Sequence, residues 1–388
     1  MKIRALEGEE KIKSMAMTTY AFARSPSDYE KRFNERKEFR KEDLVLAISE
    51  DGEIESTATF IPMTQNIRGK IVKMCGVAGV ATYPEKRRKG HVKKLMAEGF
   101  KKMREQGQVV STLYPFRESF YERMGYSTFP QMKYATVDPA HIRRAIRVQP
   151  LGEVRRFNVS DELDTYKAFV TQYLHSCHSA VRFSDLRMDE IQKDPKWLAI
   201  AYDEDGTIIG IMTYTISGFE GEMKIRHFYY LNSQAKYLLL EWMGRHTDQV
   251  KKVTLPLNSH EFVATWLTDV KAKLRSWDWV PSPMGRVVDV IGLEGIEVGE
   301  GEISLQIEDN YCAWNNRIFT FKSVEGKLRI EEGGNQNAKV SMSGFSSLIY
   351  GTASPEDFLY LGYGDLRGNI SKIQKLFPRM TCYLNESF

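Results

Sequence analysis

The chain has 388 residues, and at roughly 100–200 residues per domain this length predicts two to four domains, with three as the central expectation. Hydrophobic residues make up 42% of the sequence and charged residues 27%, which are globular values that exclude the collagen-like, disordered and coiled-coil classes. The formal net charge is +4, so overall charge does not select nucleic acid or an anionic membrane as a partner.

Cysteine usage and the amino terminus both predict a cytoplasmic protein. The chain contains no Cys-x-x-Cys pair, and its cysteines lie far apart at Cys75, Cys177, Cys312 and Cys382. This spacing is typical of reduced thiols rather than of disulfides or a zinc site. The first residues, MKIRALEGEEKI, lack the apolar core of a signal peptide, and nowhere do about 18 apolar residues run together. We therefore expect no membrane-spanning segment and no metal.

A hairpin, a strand and a long helix are predicted near the start of the chain. Two β-rich runs between Asp43 and Pro62 flank Asp51-Gly52, and Asp-Gly between apolar runs is a strong hairpin signal. Residues 70–83 form a third strand. From about 85 to 106 the apolar residues recur with helical spacing, at Val92, Leu95, Met96, Phe100 and Met103. We expect this helix to pack its apolar face on the sheet.

Three shorter elements complete the first domain. An apolar strand (109–114) precedes a short helix (116–124) that ends at Gly125, and a further strand covers 134–137. The predicted order is therefore β-β-β-α-β-α-β.

A partial repeat predicts a second, similar domain. The segment WLAIAYDEDGTIIGIMTYTI, which starts at Trp197, resembles the first hairpin and has Asp205-Gly206 at the position of Asp51-Gly52. After the strand 223–232, the helix begins with Ser233-Gln234-Ala235-Lys236, without a glycine or an arginine cluster. We expect the second copy to have lost the role of the corresponding loop in the first.

Beyond Pro281-Ser282-Pro283 the sequence changes to short strands with glycine turns, followed by helices. This pattern is typical of a separate α+β domain. The predicted fold class is mixed α-β (α+β), with two tandem domains of mixed twisted sheet and flanking helices before the last domain. The predicted domains are 1–145, 146–283 and 284–388.

The segment with the most chemical information joins the third strand to the long helix. It reads Arg87-Arg88-Lys89-Gly90-His91-Val92, and backbone amides at a helix start, together with the positive end of the dipole, form an anion site that suits a pyrophosphate. The alternative is a solvated basic surface at a helix start. Three cations there oppose the helix dipole and need a compensating anion, which favours the functional interpretation.

This segment resembles the Gcn5-related N-acetyltransferase (GNAT) superfamily. Its acetyl-CoA signature is Arg/Gln-x-x-Gly-x-Gly/Ala, which Arg87-x-x-Gly90 matches, although Val92 departs from the last small position. Phe120–Tyr126 resembles the family's Tyr-x-x-x-Gly-Phe/Tyr element, and Val77–Thr82 resembles its fourth strand, whose splayed edge pairs with pantetheine.

The whole chain resembles the enhanced intracellular survival (Eis) family of multi-acetylating aminoglycoside acetyltransferases, with a GNAT domain, a degenerate GNAT-like domain, a sterol-carrier-like domain and a terminal phenylalanine. The resemblance implies an N-acetyltransferase that uses acetyl-CoA, and a homo-oligomer (trimer or hexamer). We expect direct transfer in a ternary complex, because no cysteine lies near these strand-to-helix junctions to carry the acetyl group. The resemblance also implies Tyr121 as general acid and the Phe388 carboxylate as general base. The cofactor contacts it implies are Val80, Ala81, Thr82, Arg88, Lys89, Gly90, His91, Val92, Lys93, Phe116 and Arg117.

The chemistry of acetyl transfer makes these two roles reasonable. An amine with a pKa of about 10.4 is protonated at neutral pH, so a group must accept its proton. A tyrosine, with a pKa of about 10, can protonate the departing thiolate. An α-carboxylate, with a pKa of about 3.3–3.7, needs desolvation or a water molecule to serve as the base. The alternatives are that Tyr121 is a packed aromatic and that Phe388 fills a pocket.

Two further residues, Phe22 and Glu386, are candidates for an amine pocket, because an aromatic face and a carboxylate both favour cations. The expected partner is an amine-bearing small molecule or a lysine side chain, with no nucleic acid and no membrane. The alternative function is a lipid or hydrophobic-ligand binding module in the last domain. Nucleic-acid binding through 86–89 is disfavoured by the low net charge and by acidic stretches elsewhere.

Overall fold

The computed structural model describes residues 2–22, 24–27, 29, 31, 41–191, 196–258, 261–267, 273–276 and 281–388. The chain divides into two compact units. The first consists of 1–129, 283–380 and 387–388, and the second of 130–282 and 381–386. In the part of the chain that is described, no helix has both the length and the apolar character needed to cross a bilayer.

The first 129 residues contain most of the strands of one sheet. Their elements are β1 (Lys2–Ala5), α1 (Glu9–Ala21), β2 (Leu44–Glu50), β3 (Glu53–Ile67), β4 (Lys70–Thr82), α2 (His91–Glu105), β5 (Val110–Leu113), α3 (Glu118–Glu122) and β6 (Ser127–Thr128). The predicted hairpin is confirmed, because Glu50 pairs with Glu53 and both Asp51 and Gly52 have positive φ.

Helix α2 begins later than the spacing of apolar residues predicted. Pro84–Lys86 forms a 3-10 turn, and Gly90, with φ +76°, precedes the first helical residue, His91. The predicted apolar residues from Leu95 to Met103 are buried on the helix face that packs against the sheet. This packing fixes the loop 87–90 between the end of β4 and the start of α2.

The second unit is built around one sheet of seven strands. Its elements are β7 (Lys133–Val137), α4 (Pro139–Ala145), β8 (Glu153–Asn158), α5 (Leu163–Ser176), β9 (Val181–Phe183), α6 (Asp185–Ile191), β10 (Trp197–Tyr202), β11 (Ile208–Ile216), β12 (Gly221–Tyr230), α7 (Ser233–Gly244), β13 (Val250–Leu257) and β14 (Lys273–Ser276). The strand order in the sheet is β14-β7-β13-β12-β11-β10-β8.

Strand β7 forms as predicted, but it does not join the sheet of the first 129 residues. It pairs antiparallel with β13, with Val137 opposite Val253 and Ala135 opposite Leu255. These apolar side chains are buried together in the core of the second unit, which explains the placement. The domain boundaries drawn from the sequence stay predictions.

Residues 283–380 belong to the first unit again, and most of their strands form a second sheet in that unit. Their elements are β15 (Met284–Val287), β16 (Glu302–Glu308), β17 (Ile318–Val324), β18 (Lys327–Glu332), β19 (Ala338–Ser341), α8 (Met342–Tyr350), α9 (Phe358–Leu361), β20 (Gly364–Asp365) and α10 (Ile370–Leu376). Strand β15 lies between β5 and β6, so the first sheet runs β1-β2-β3-β4-β5-β15-β6. Strands β16–β20 form a separate sheet in the order β18-β17-β16-β19-β20.

Candidate active site

The two parallel strands β4 and β5 of the first unit form a fork. Their ladder joins Met74–Val77 to Val110–Leu113, and β4 then continues beyond this ladder to Thr82. On its other side, β4 is held by β3, where the Ser56 hydroxyl donates to Ala81 O at 2.9 Å. The predicted pantetheine contacts Val80, Ala81 and Thr82 therefore lie on the part of β4 that extends beyond its ladder with β5. Val80 is half-buried.

The predicted pyrophosphate loop follows directly and presents its cations to solvent. Arg88, Lys89, Gly90 and Lys93 are exposed, and Arg88 and Gly90 both have positive φ. Glycine adopts this conformation at no steric cost, so Gly90 suits the turn into α2. The first turn of α2 contains no acidic residue, and its amides and dipole therefore favour an anion.

A buried carboxylate beneath this loop was missed by the sequence analysis. Glu55, on β3, is 1% exposed, and its carboxylate lies 2.5 Å from Lys86 Nζ, 2.9 Å from His91 Nε2 and 3.9 Å from Lys89 Nζ. The ion pair with Lys86 holds the pKa of Glu55 below its usual value, although burial acts in the opposite direction. Glu55 thus contacts side chains from both ends of the loop. The buried side chain of His91 contacts Glu55 rather than solvent.

Tyr121, the predicted general acid, lies in an aromatic cluster on α3. It is 3% exposed, and its ring lies 5.2–5.9 Å from the rings of Phe116, Phe120 and Tyr126. Burial raises the pKa of Tyr121 above its usual value. Within the described residues its hydroxyl makes no hydrogen bond. The phenol is therefore protonated at neutral pH and available as a donor.

The other residues predicted at this strand-to-helix junction differ in exposure. Phe116 is 68% exposed, and Arg117 precedes the first residue of α3 with an extended backbone and an exposed side chain. Val92 is half-buried and packs beside the core of the sheet and α2. Phe116 therefore covers Tyr121 on one side while keeping most of its own ring accessible.

Phe388, the predicted source of the general base, lies at the fork of β4 and β5. Its ring is 5.9 Å from that of Tyr114, the residue after β5, in an edge-to-face arrangement. It also covers Gly76 on β4, where a Cβ atom would lie 2.8 Å from the ring. Gly76 pairs with Thr112 near the end of the β4–β5 ladder. Residue 388 is thus seated where the two strands begin to part.

The two residues predicted to line an amine pocket have different environments. Phe22, at the end of α1, is 55% exposed. Glu386, in the second unit, is buried, with His227 Nε2 at 3.2 Å and a hydrogen bond of 3.4 Å from the Tyr229 hydroxyl. Burial would raise the pKa of Glu386, but the neighbouring His227 and Arg226 hold it below its usual value. The charge of Glu386 is therefore already compensated, and the pocket assignment of both residues stays a prediction.

At the equivalent position in the second unit, where residues 230–236 are all described, there is no exposed basic loop. Asn232 caps α7 through a hydrogen bond of 2.9 Å from Ala235 N–H. The nearby cation, Lys236, lies 2.5 Å from Glu261 and 4.2 Å from the centre of the Trp266 ring. The Asn232 side chain accepts a hydrogen bond from the first turn of the helix, and the Glu261 carboxylate pairs with Lys236. Both groups therefore have partners without a bound phosphate.

Three family models match the chain. Residues 2–129 and 180–287 each match a model of an acetyltransferase (GNAT) domain. Residues 288–385 match the sterol carrier protein domain. These matches confirm the predicted fold class of two tandem GNAT domains followed by a sterol-carrier-like domain. No curated protein is significantly similar to the chain.

Solved structures with the same fold cover the whole chain. A conserved protein from Enterococcus faecalis, described as a probable N-acyltransferase, is 23% identical with a TM-score of 0.84, over 100% of this chain and 99% of that one. A GCN5-related N-acetyltransferase from Anabaena variabilis is 19% identical with a TM-score of 0.85, over 100% of both chains. Eis1 from Mycobacterium abscessus is 16% identical with a TM-score of 0.79, again over 100% of both chains.

Proposed function

This chain belongs to the GNAT superfamily of N-acetyltransferases and has an Eis-like order of domains, and we propose that it transfers the acetyl group of acetyl-CoA directly to an amine. One observation carries the proposal: β4 leaves its partner strand β5 and leads straight into an exposed basic loop at a helix start. A free strand edge suits the amide-bearing pantetheine arm, and the loop suits the pyrophosphate. Because both features lie on one continuous segment, they support acetyl-CoA as the proposed acetyl donor.

We assign Tyr121 as the general acid and the α-carboxylate of Phe388 as the general base. The carboxylate takes a proton from the substrate ammonium, directly or through water, and the neutral amine nitrogen then attacks the thioester carbonyl. The carbon–sulfur bond then breaks, and the sulfur receives a proton or hydrogen bond from the Tyr121 hydroxyl. As the amide forms, the nitrogen loses a second proton, which replaces the one that Tyr121 gives to the sulfur. No covalent acetyl-enzyme is needed. Cys75, the cysteine nearest this site in sequence, is buried on β4, and burial raises the pKa of its thiol.

The substrate class follows from the same proposal. We expect acetyl transfer to amine-bearing small molecules, and to more than one amine of an aminoglycoside. Incubation with acetyl-CoA should release free thiol, and mass spectrometry should show two or more acetyl groups on each aminoglycoside molecule. If an aminoglycoside, a linear polyamine and a lysine peptide all fail to release thiol above the hydrolysis background, the proposed activity is wrong.

Arg88→Ala is expected to weaken acetyl-CoA binding about tenfold or more, because a charge-assisted hydrogen bond contributes about 1.5–3 kcal/mol. Titration calorimetry with coenzyme A measures the effect. Arg88 has φ +65°, so alanine also strains the backbone, whereas Arg88→Gly removes the side chain without that strain. Lys101→Ala, an exposed lysine further along α2, is the control for lost charge. If the glycine variant binds with the wild-type Kd, Arg88 does not contact the pyrophosphate.

A further inference from the structure

The short helix that carries Tyr121 is held by side chains from the carboxyl-terminal segment (residues 283–380). Carbonyl oxygens at the end of a helix have no partner within it. Here the Ser343 hydroxyl donates to Glu122 O at 2.6 Å, and the Ser346 hydroxyl donates to Gly125 O at 3.0 Å. The Arg286 guanidinium donates to the carbonyl between them, that of Met124. We name residues 118–126, which all lie in the first unit, the Tyr121 turn.

The guanidinium of Arg286 is fixed on its other sides. It is fully buried, its Nη2 lies 2.6 Å from Asp309 Oδ2, and its carbon lies 4.1 Å from the centre of the Phe100 ring. Asp309 in turn accepts a hydrogen bond of 3.1 Å from the Asn315 side chain. A buried charge without such partners would be costly. Arg286 therefore presents its donor to the Tyr121 turn in one orientation.

Helix α8, which carries both serines, is buried and is hydrogen-bonded to the first sheet. All nine of its residues are buried. At its carboxyl end, Arg68 at the tip of the β3–β4 hairpin donates to Ile349 O and Leu348 O, both at 2.8 Å. A cation at the carboxyl end of a helix is also favoured by the helix dipole. The helix is thus tied to the first sheet at one end and to the Tyr121 turn near the other.

We propose that Ser343, Ser346 and Arg286 are positioning residues that hold the Tyr121 hydroxyl in place for its reaction. The proposal rests on the proposed function, because it requires Tyr121 to be the acid. It gives two serines of the sterol-carrier-like domain, together with Arg286 just before that domain, a role in catalysis that is separate from any lipid and from residue 388. An error of about 1 Å in the position of a reacting group can cost a hundredfold in rate, so loss of two hydrogen bonds to the turn should be measurable.

The double variant Ser343→Ala/Ser346→Ala tests the proposal. We expect kcat to fall about tenfold and the Kd for acetyl-CoA to stay unchanged. The reason is that the Tyr121 turn contains the proposed acid, whereas the proposed pyrophosphate contacts lie in a different segment. The same double variant is then made in a Tyr121→Phe enzyme. If the serines act through the Tyr121 hydroxyl, they should add almost no further loss there, because the effects of groups that act as a unit are not additive.

The matched control is Ser304→Ala, which removes a buried hydroxyl from the carboxyl-terminal segment without touching the Tyr121 turn, since its partner is Thr320 at 2.8 Å. The control should keep the wild-type kcat. Melting temperatures identify any variant that fails to fold. If the double variant does not fold, Ser343→Ala alone is tested. Equal losses in both backgrounds, or no loss in either, overturn the positioning role. If Tyr121→Phe itself turns over normally, it is the proposed acid that fails.

Discussion

Replacing Tyr121 by phenylalanine is expected to lower kcat about a hundredfold or more, the usual contribution of general acid–base catalysis. The Kd for acetyl-CoA should stay within about twofold, because the lost hydroxyl acts on the departing sulfur rather than on the bound cofactor. Stopped-flow or steady-state thiol release gives kcat, and calorimetry gives Kd. Equal losses in both constants would instead indicate that Tyr121 has a packing role.

The pH dependence adds a second test of the same residue. Burial raises the pKa of Tyr121, and a phenol donates a proton only below its pKa, so this function is lost only as pH rises through the raised value. Since the ordinary value is about 10, Tyr121 should cause no decline of kcat between pH 7 and about pH 10. A decline centred near pH 8 or 9 that disappears in Tyr121→Phe would contradict this environment for the acid.

Tyr126→Phe is the matched control for the tyrosine variant. It removes one hydroxyl from a neighbouring buried tyrosine whose partner is Ser111, at 2.8 Å. Its ring lies 5.9 Å from that of Tyr121, so packing changes in the cluster are comparable. We expect it to lose stability, by about 1 kcal/mol for a hydrogen bond, and to lower kcat by about tenfold at most, as for the other hydrogen bonds of the Tyr121 turn, rather than by a hundredfold.

A single glycine added after Phe388 is expected to lower kcat about a hundredfold or more, with acetyl-CoA binding unchanged. The added residue moves the α-carboxylate by about 3.5 Å, beyond hydrogen-bond reach of a proton it could accept before. The role requires residue 388 to be the carboxyl terminus, so the intact mass of the purified wild-type protein is measured first. A glycine-extended enzyme with the normal rate would exclude the carboxylate as the base.

The companion variant Phe388→Leu separates the two interpretations of this residue. It keeps the carboxylate but removes the ring that covers Gly76 and contacts Tyr114. If the carboxylate is the base, this variant should keep much more activity than the glycine-extended chain. If the ring only fills a pocket, the order is reversed, since the extended chain retains the phenyl group.

The local motifs could be predicted from the sequence, whereas contacts between distant segments could not. The basic loop ending at Gly90 and Tyr121 lie in short local patterns, so neighbouring residues were sufficient to propose them as site residues. Glu55 lies on β3, more than thirty residues before the loop it supports, and an acidic residue in a strand usually indicates a solvent-exposed position. Nothing in the residues around Ser343 or Arg286 indicates that their partners are the carbonyl oxygens of 122–125.

The sheet that each strand joins also could not be predicted from the sequence. The pattern of 134–137 predicted a strand correctly, but alternation of apolar residues does not identify the neighbouring strand. The same holds for β15, whose partners Ser111 and Thr112 on β5 precede it by about 170 residues. A strand's partner depends on complementary packing across the sheet, and this information is spread over the whole chain.

The insertion of β15 between β5 and β6 has a consequence for how the protein is made. During synthesis, the first 129 residues leave the ribosome long before residues 284–287 have been made. Until then, the edge of β5 that pairs with β15 has no partner strand. Exposed strand edges invite pairing with other chains, and contacts so distant in sequence slow folding. We therefore expect residues 130–282 to begin folding before the first sheet is complete, whereas each unit is finished only when its later residues, 283–380 for the first and 381–386 for the second, have been made.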